Sequence, residues 1–323
     1  MKKILLTIIV LFVSCKAEIK NTKLTGLVFG TTYKIIYHAE TNYEKQFDSL
    51  FYVINKSMST YQPNSIISKL NRNEIEEVDD HFVRVFEASK KIFEETKGAF
   101  DPTIGAIVNA WDFGPEGKIV NLDSLKIDSL MLSVGFDKVE RIHNNILKPQ
   151  GTFIDFNAIA KGYGVDVIAD FLETKDVSDY LVEIGGEIRT KGINQEKKTL
   201  WKVGVEMPHF DGTQSILKAI ALQNKAMATS GTYRKFKVDE EGNRYAHIID
   251  TKTGYPSKTN LLSISVIGKH CMEADAYATA FKAMGMEKVI MFLNSHPELQ
   301  VFLIFENESG ELETLSLNGF PED

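Results

Sequence analysis

Phe153-Ile154-Asp155-Phe156-Asn157-Ala158-Ile159-Ala160-Lys161-Gly162-Tyr163-Gly164-Val165-Asp166 joins two kinds of element. Phe153-Ile154-Asp155 predicts a short buried strand, and the small residues behind it turn the chain into a helix expected over 158–173. An acid at the end of an apolar strand, then a small-residue turn and a lysine entering a helix, builds a place for a phosphate or a polar ring edge beside exposed amides. The same residues also read more simply, with Asp155 as an N-cap and Lys161 as a solvated first-turn residue.

Working outward, 24–37 is rich in β-branched and aromatic residues and predicts paired strands broken at Gly30. Helices are expected over 43–58 and 80–97; in the second, Phe82, Val85, Phe86, Ser89 and Phe93 follow the stripe of a packed helix, which Gly98 stops. The stretch 114–129 reads as irregular. Strands are expected at 180–184, 201–206, 216–222, 245–250 and 261–267, then a last helix over 272–284 and a strand near 299–305. Without repeats or a dividing linker, 24–323 reads as one globular body of mixed α/β (α+β) class, several strands packed with helices.

The 323 residues have an average composition, 43% hydrophobic and 25% charged, which excludes a polytopic membrane protein. Acids outnumber bases 44 to 37, so no nucleic-acid partner is expected and an anionic ligand must be held locally, by a metal or a few placed cations. The start is different. Met1-Lys2-Lys3 is basic and 4–13 is apolar, a run that reaches only ~15 Å as a helix, about half a bilayer core. Residues 1–14 read as a signal peptide. Val13-Ser14-Cys15 resembles a bacterial lipobox, with Phe12 departing from the usual leucine. That resemblance implies lipidation of Cys15, a short polar tether over 15–23, and export to a bacterial membrane, inner or outer. Loss of Lys2 and Lys3 takes the formal charge from −7 to −9. Cys271 is then left without a disulfide partner.

Several engines are missing. There is no G-x-x-x-x-G-K-[ST]; Gly162-Tyr163-Gly164 lacks the third glycine of a dinucleotide fingerprint; Ser230 lacks elbow glycines; the seven histidines show no H-E-x-x-H spacing. Oxygen chemistry remains. In 273–280, Asp275 and Thr279 stand four residues apart on one helix face, a carboxylate and a hydroxyl suited to Mg²⁺, although such a pair also serves ordinary helix-side hydrogen bonds.

In order, Phe29-Gly30-Thr31-Thr32-Tyr33, Met58-Ser59-Thr60-Tyr61 with 65–71, Gly98-Ala99-Phe100-Asp101-Pro102-Thr103 with Trp111, 155–166, 228–233 running on to 247–254, and 274–279 resemble the FAD:protein FMN transferases, the ApbE family. The resemblance spans 26–285. It implies FAD as substrate, Mg²⁺ held by Asp275, Thr279 and the Ala158 carbonyl, and transfer of FMN to a threonine hydroxyl of an acceptor protein, with AMP released. A membrane respiratory or redox subunit bearing a threonine flavinylation motif is the implied partner. Phe29 and Tyr61 would offer flat apolar surface; Ala99, Phe100 and Ile248 would line the nucleotide pocket; Asp101 and Asp155 would accept hydrogen bonds; Lys161 would supply charge to phosphate. His247 is the implied base, with a pocket-lining strand histidine as the other reading and Asp101 as the alternate base.

Three departures stand out: Asn157-Ala158 replaces a glycine pair, Thr251 replaces a proline at a cost of about 1 kcal/mol in turn rigidity, and Glu187 follows Gly185-Gly186 where asparagine or aspartate is commoner. Two other activities fit the same residues: hydrolysis of FAD to FMN and AMP, and non-catalytic flavin carriage. Cys15→Ala is expected to move the protein into the aqueous phase of a detergent phase-partition assay; unchanged recovery in the detergent phase would remove the lipid anchor.

Overall fold

The computed structural model describes residues 20–233, 236–238 and 244–322; the expected signal peptide and the lipidation site at Cys15 lie outside them. The first strands, β1 (Thr22–Val28) and β2 (Thr31–Tyr37), form a hairpin. Its two turn residues, Phe29 and Gly30, have φ of 50° and 74°, the left-handed pair that matches the twist of flanking strands. β1 takes in Thr22 and Lys23, so the folded body starts inside the stretch expected as tether.

Four helices follow: α1 (Glu44–Met58), α2 (Ile66–Asn71), α3 (Asp80–Glu95) and α4 (Gly105–Ala110). The Asp79 carboxylate caps α3 by accepting from Phe82 N at 2.9 Å, and Phe82, Val85, Phe86 and Ser89 of the expected stripe are buried. Next come α5 (Ser124–Met131) and the small hairpin of β3 (Glu140–Ile142) and β4 (Asn145–Leu147). The second half opens with α6 (Ala160–Thr174), β5 (Tyr180–Ile184) and β6 (Glu187–Lys191). Then β7 (Ile193–Asn194), β8 (Thr199–Glu206) and β9 (Ile216–Leu222) make a three-stranded sheet. The remaining elements are β10 (Ala226–Gly231), the pair β11 (Phe236–Val238) and β12 (Arg244–Ala246), β13 (Leu261–Gly268), α7 (Cys271–Met284), α8 (Met286–Leu293), β14 (Gln300–Glu306) and β15 (Leu312–Leu317).

Eight strands form one antiparallel sheet in the order β1-β2-β5-β6-β10-β13-β14-β15. Its central strands are apolar on both faces because both are covered. On β14, Val301 and Leu303 pack toward the helices, while Phe302 and Ile304 join Trp201, Val203 and Val205 of β8 on the other side. The result is helices, large sheet and small sheet in layers, an α+β body as expected.

The differences from the expected elements have local causes. Residues 153–155 make only an isolated bridge, Phe153 to Ile104, because Asp155 N is taken by Pro102 O and the chain turns at once. α5 begins inside the expected irregular stretch, started by the Asp123 carboxylate, which accepts from Lys126 N at 2.9 Å. Of 245–250 only Tyr245 and Ala246 belong to a strand, and Ile249 makes an isolated bridge to Pro256. The helix at 272–284 is not the last, since Gly285 (φ 81°) separates it from α8.

The glycines of the opening motif serve packing. A Cβ on Gly162 would stand 2.4 Å from the Cys271 carbonyl oxygen, and one on Gly164 would stand 2.7 Å from the Phe29 ring. Together they let α6 touch α7 and the β1–β2 turn. Near the end of α7, Lys282 is only 1% exposed and donates to Thr259 Oγ1 at 2.8 Å. Burial pushes its ammonium from 10.5 down to about 8. Below pH 8 both folded and unfolded chains hold the proton, and the folded state bears the full cost. Between pH 8 and 10.5 only the unfolded chain holds it, so stability rises with pH across that window. Lys282→Met is expected to stabilise the protein by about 3 kcal/mol at pH 7 and by little at pH 10, measured by urea unfolding at both.

Candidate active site

β10 pairs with β13 over six residues but with β6 over only two, Ala226 to Arg189 and Met227 to Ile188. Where the two strands part, the sheet opens into a cleft of about 1320 Å³, with Gly185, Gly186 and Glu187 on one side and Thr229, Ser230 and Gly231 on the other. That exceeds the roughly 300–1,000 Å³ of a usual small-ligand site and leaves room for an extended dinucleotide.

All the site residues expected from the sequence, Cys15 apart, line this one cleft. Phe29 comes from the hairpin turn, its ring edge-on to Phe51 at 5.7 Å. Tyr61, from the connection after α1, is 57% exposed and keeps its ring open to the cleft. Burial and then the charge of Asp155 hold its hydroxyl above the usual tyrosine range. Ala99, Phe100 and Asp101 come from the turn before α4; Asp155, Ala158 and Lys161 from the approach to α6; His247 and Ile248 from the loop after β12; Asp275 and Thr279 from α7.

α7 is aimed by a borrowed cap. His270, its N-cap, makes no side-chain cap bond. Instead Asp166 of α6 accepts from Cys271 N at 3.0 Å and from Met272 N at 2.9 Å. Arg189 of β6 holds the same carboxylate at 2.9 Å and also reaches Asp170 and Glu173, an acidic stripe along α6. One turn into α7, Asp275 Oδ2 accepts from Gly162 N at 3.0 Å. Asp275 and Thr279, one turn apart on α7, both line the cleft.

The first-turn lysine is partly exposed but not free. Lys161 Nζ lies 2.5 Å from Glu187 Oε1, and burial of this ammonium is outweighed by Asp275 and then Glu187, so its pKa is raised. Glu187, one of the three departures from the resemblance, is a buried member of the cleft wall. Burial holds its carboxyl above the usual range, Lys161 opposing and Asp275 adding. Asp155 is no N-cap: Ile159 occupies that position, and Asp155 folds onto Asn157, accepting from its N at 2.7 Å and its Nδ2 at 3.0 Å. The Asp101 carboxylate accepts from Thr103 N at 2.8 Å, Thr103 Oγ1 at 2.6 Å and Phe136 N at 3.3 Å, so it shapes its own turn. Burial raises its pKa against those bonds.

Thr251, where the resemblance has a proline, makes a tie of its own. Its hydroxyl donates to Gly98 O at 2.5 Å, tying the His247 loop to the 98–103 turn, and Trp111 Nε1 fixes the far end of that loop through Gly254 O at 2.8 Å. His247 itself stands 6.2 Å from the Phe113 ring, half-buried.

Among the described residues no group of three or more His, Cys, Asp or Glu side chains is gathered to hold a metal alone. One carboxylate, one hydroxyl and main-chain carbonyls at the 157–158 turn are hard oxygen donors. They fit a small divalent cation that completes its shell with water and substrate oxygens.

The ApbE family model matches residues 29–303. This chain belongs to the ApbE family. Curated relatives named FAD:protein FMN transferase include one from Vibrio cholerae, 33% identical over 315 residues and covering 94% of this chain and 92% of its own, and one from Haemophilus influenzae, 34% identical over 316 residues and covering 92% and 90%. Among solved structures, the flavin transferase ApbE of V. cholerae superposes with a TM-score of 0.83 at 32% identity, covering 92% of this chain and 97% of that one. The apo flavinyl transferase ApbE of Pseudomonas stutzeri superposes at 0.82 with 28% identity, covering 92% and 95%. The ApbE body thus runs through all three layers, and each of the six motifs contributes residues to its cleft.

Asp166→Ala is expected to strip two helix amides and Arg189 of their shared acceptor. The cost is about 3 kcal/mol in thermal unfolding, with a fall in activity at temperatures where the variant is folded.

Proposed function

We propose that this ApbE-family chain transfers the FMN half of FAD to a threonine hydroxyl of an acceptor protein and releases AMP. One observation carries this reading: residues from six separated sequence motifs meet on one cleft, with Asp275 and Thr279 on the same wall as Lys161, and His247 also on the cleft. A redox subunit of the same membrane is the fitting acceptor, because the tether after the expected lipidated Cys15 is short.

Phe29 and Tyr61 give flat apolar surface for an aromatic ring, while Asp155 and the main chain of the 98–103 turn offer acceptors to ribose or ring N–H groups. Lys161 places a positive charge beside the phosphates. Asp275, Thr279 and the Ala158 carbonyl would hold Mg²⁺, which when bound neutralises phosphate charge toward the nucleophile and the leaving group. His247 takes the threonine proton as the hydroxyl oxygen attacks the FMN-side phosphorus. A phosphoester bond forms, the bridging P–O bond breaks, and its electron pair leaves with AMP. The Thr251 bond to Gly98 keeps the loop bearing His247 against the nucleotide turn.

The test incubates the protein with FAD and Mg²⁺, with and without a membrane redox subunit carrying a threonine flavinylation motif. FMN should appear in the acceptor's intact mass with one AMP per event; FMN release that ignores the acceptor would mean a hydrolase. His247→Ala should lower kcat by ~10²–10⁴. Asp275→Ala should abolish the metal dependence, and unchanged FAD affinity, turnover and metal dependence in that variant would leave a flavin carrier.

A further inference from the structure

Glu187 opens β6 directly after the Gly185-Gly186 turn and is 3% exposed. Its Oε1 accepts from Lys161 Nζ at 2.5 Å, while Oε2 is buried with no hydrogen-bond partner among the described residues. Buried carboxylate oxygens are ordinarily satisfied, so this half-paired acid sits inside the cleft for a reason other than its own stability. Lys161 also lies in the field of Asp275, whose carboxylate accepts from the neighbouring Gly162 amide at 3.0 Å. The ammonium therefore has a choice of carboxylates, and the same Asp275 is the acid that faces the cleft one turn from Thr279.

An ammonium and a divalent cation compete for the same carboxylate oxygens. If Glu187 were neutral, Asp275 would be the acid left to Lys161, and a built-in cation would stand where the metal has to come. We infer that Glu187 is a positioning residue: by pairing with Lys161 it keeps that ammonium off Asp275, which then retains an oxygen for the divalent cation, and it presents Lys161 to a phosphate. This rests on the reading of Asp275 as the metal-holding acid. It also gives a part to the position where the chain departs from the asparagine or aspartate commoner in the resemblance. A longer acid spans from β6 to α6, and Gly185-Gly186 lets β6 start close beside the cleft.

The experiment measures Mn²⁺ affinity by electron paramagnetic resonance on the full chain without nucleotide, alongside thermal unfolding. Glu187→Gln should weaken Mn²⁺ binding at least ~10-fold, the scale of losing a partner behind a metal ligand, and Glu187→Asp should recover much of it. The double variant Lys161→Met with Glu187→Gln decides the cause. With the competing ammonium gone, affinity should return to within ~3-fold of the parent, since the coupled pair is then removed as a unit. A double variant as weak as Glu187→Gln would overturn the inference and make Glu187 a direct ligand. Unchanged affinity in Glu187→Gln would overturn it too. Asp275→Ala tests the underlying reading separately: if that variant binds Mn²⁺ as the parent does, the metal site is elsewhere and both fall. Should Glu187→Gln alone fail to fold, Glu187→Ala and its double variant with Lys161→Met take its place: the single must bind Mn²⁺ at least ~10-fold more weakly than the parent and the double must restore affinity, and a double as weak as the single would overturn the inference.

Discussion

A single carboxylate, that of Asp166, receives two amides from the start of α7 and a guanidinium from β6 while belonging to α6. Two neighbouring elements and a helix 105 positions further along are held at one buried point. An ionised acid taken out of water is costly unless its acceptors are filled, and here two helix N–H groups and Arg189 fill them. The α7 macrodipole adds to the fit, since its positive end is turned toward the acid. With α7 docked this way, the Gly162 amide meets Asp275, and the absence of a side chain on Gly162 sets how near the two helices come. The geometry of Asp275 and Thr279 toward the cleft depends on that chain of contacts.

The same layering explains why the cleft lies where it does. The large sheet is covered on both faces, by α6 and α7 on one side and by β7–β9 on the other, so an opening cannot form through either face without exposing core. It forms within the sheet, where β6 and β10 separate after two paired residues. The strand ends and turns at that split carry glycine, serine and threonine, which bring main-chain groups within reach of a polar ligand.

Charge follows a related logic. The chain carries a formal −7, yet its relatives are named for a reaction of FAD, a dinucleotide with two phosphates. The protein meets that conflict locally. Lys161 is kept charged by Asp275 and Glu187 despite its partial burial, and the oxygen donors of Asp275 and Thr279 line the same cleft. A balance of this kind needs each charge to have an assigned partner, because interactions at short range in a partly buried site are screened little by solvent.

Periodicity alone determined much of the fold. The hairpin over 24–37, the helices near 43–58, 80–97, 158–173 and 272–284, and the strands at 180–184, 216–222 and 261–267 all carry patterns strong enough to read locally. β10, made of small residues, and β15, with an exposed alternating pattern at the sheet edge, lack the apolar run that marks a strand; they exist because a neighbour supplies hydrogen bonds. The cleft residues were named by the resemblance of six motifs to the ApbE family, with only the Asp155-to-Lys161 turn and the pair Asp275 and Thr279 singled out by their own chemistry. What only the tertiary structure decided is which charges meet. That Asp166 caps a helix 105 positions away, that Glu187 takes Lys161, and that Asp101 spends its oxygens on its own turn are matters of distance in space. Coulomb and hydrogen-bond energies fall off within a few ångströms, and sequence spacing carries no information about separations set by packing.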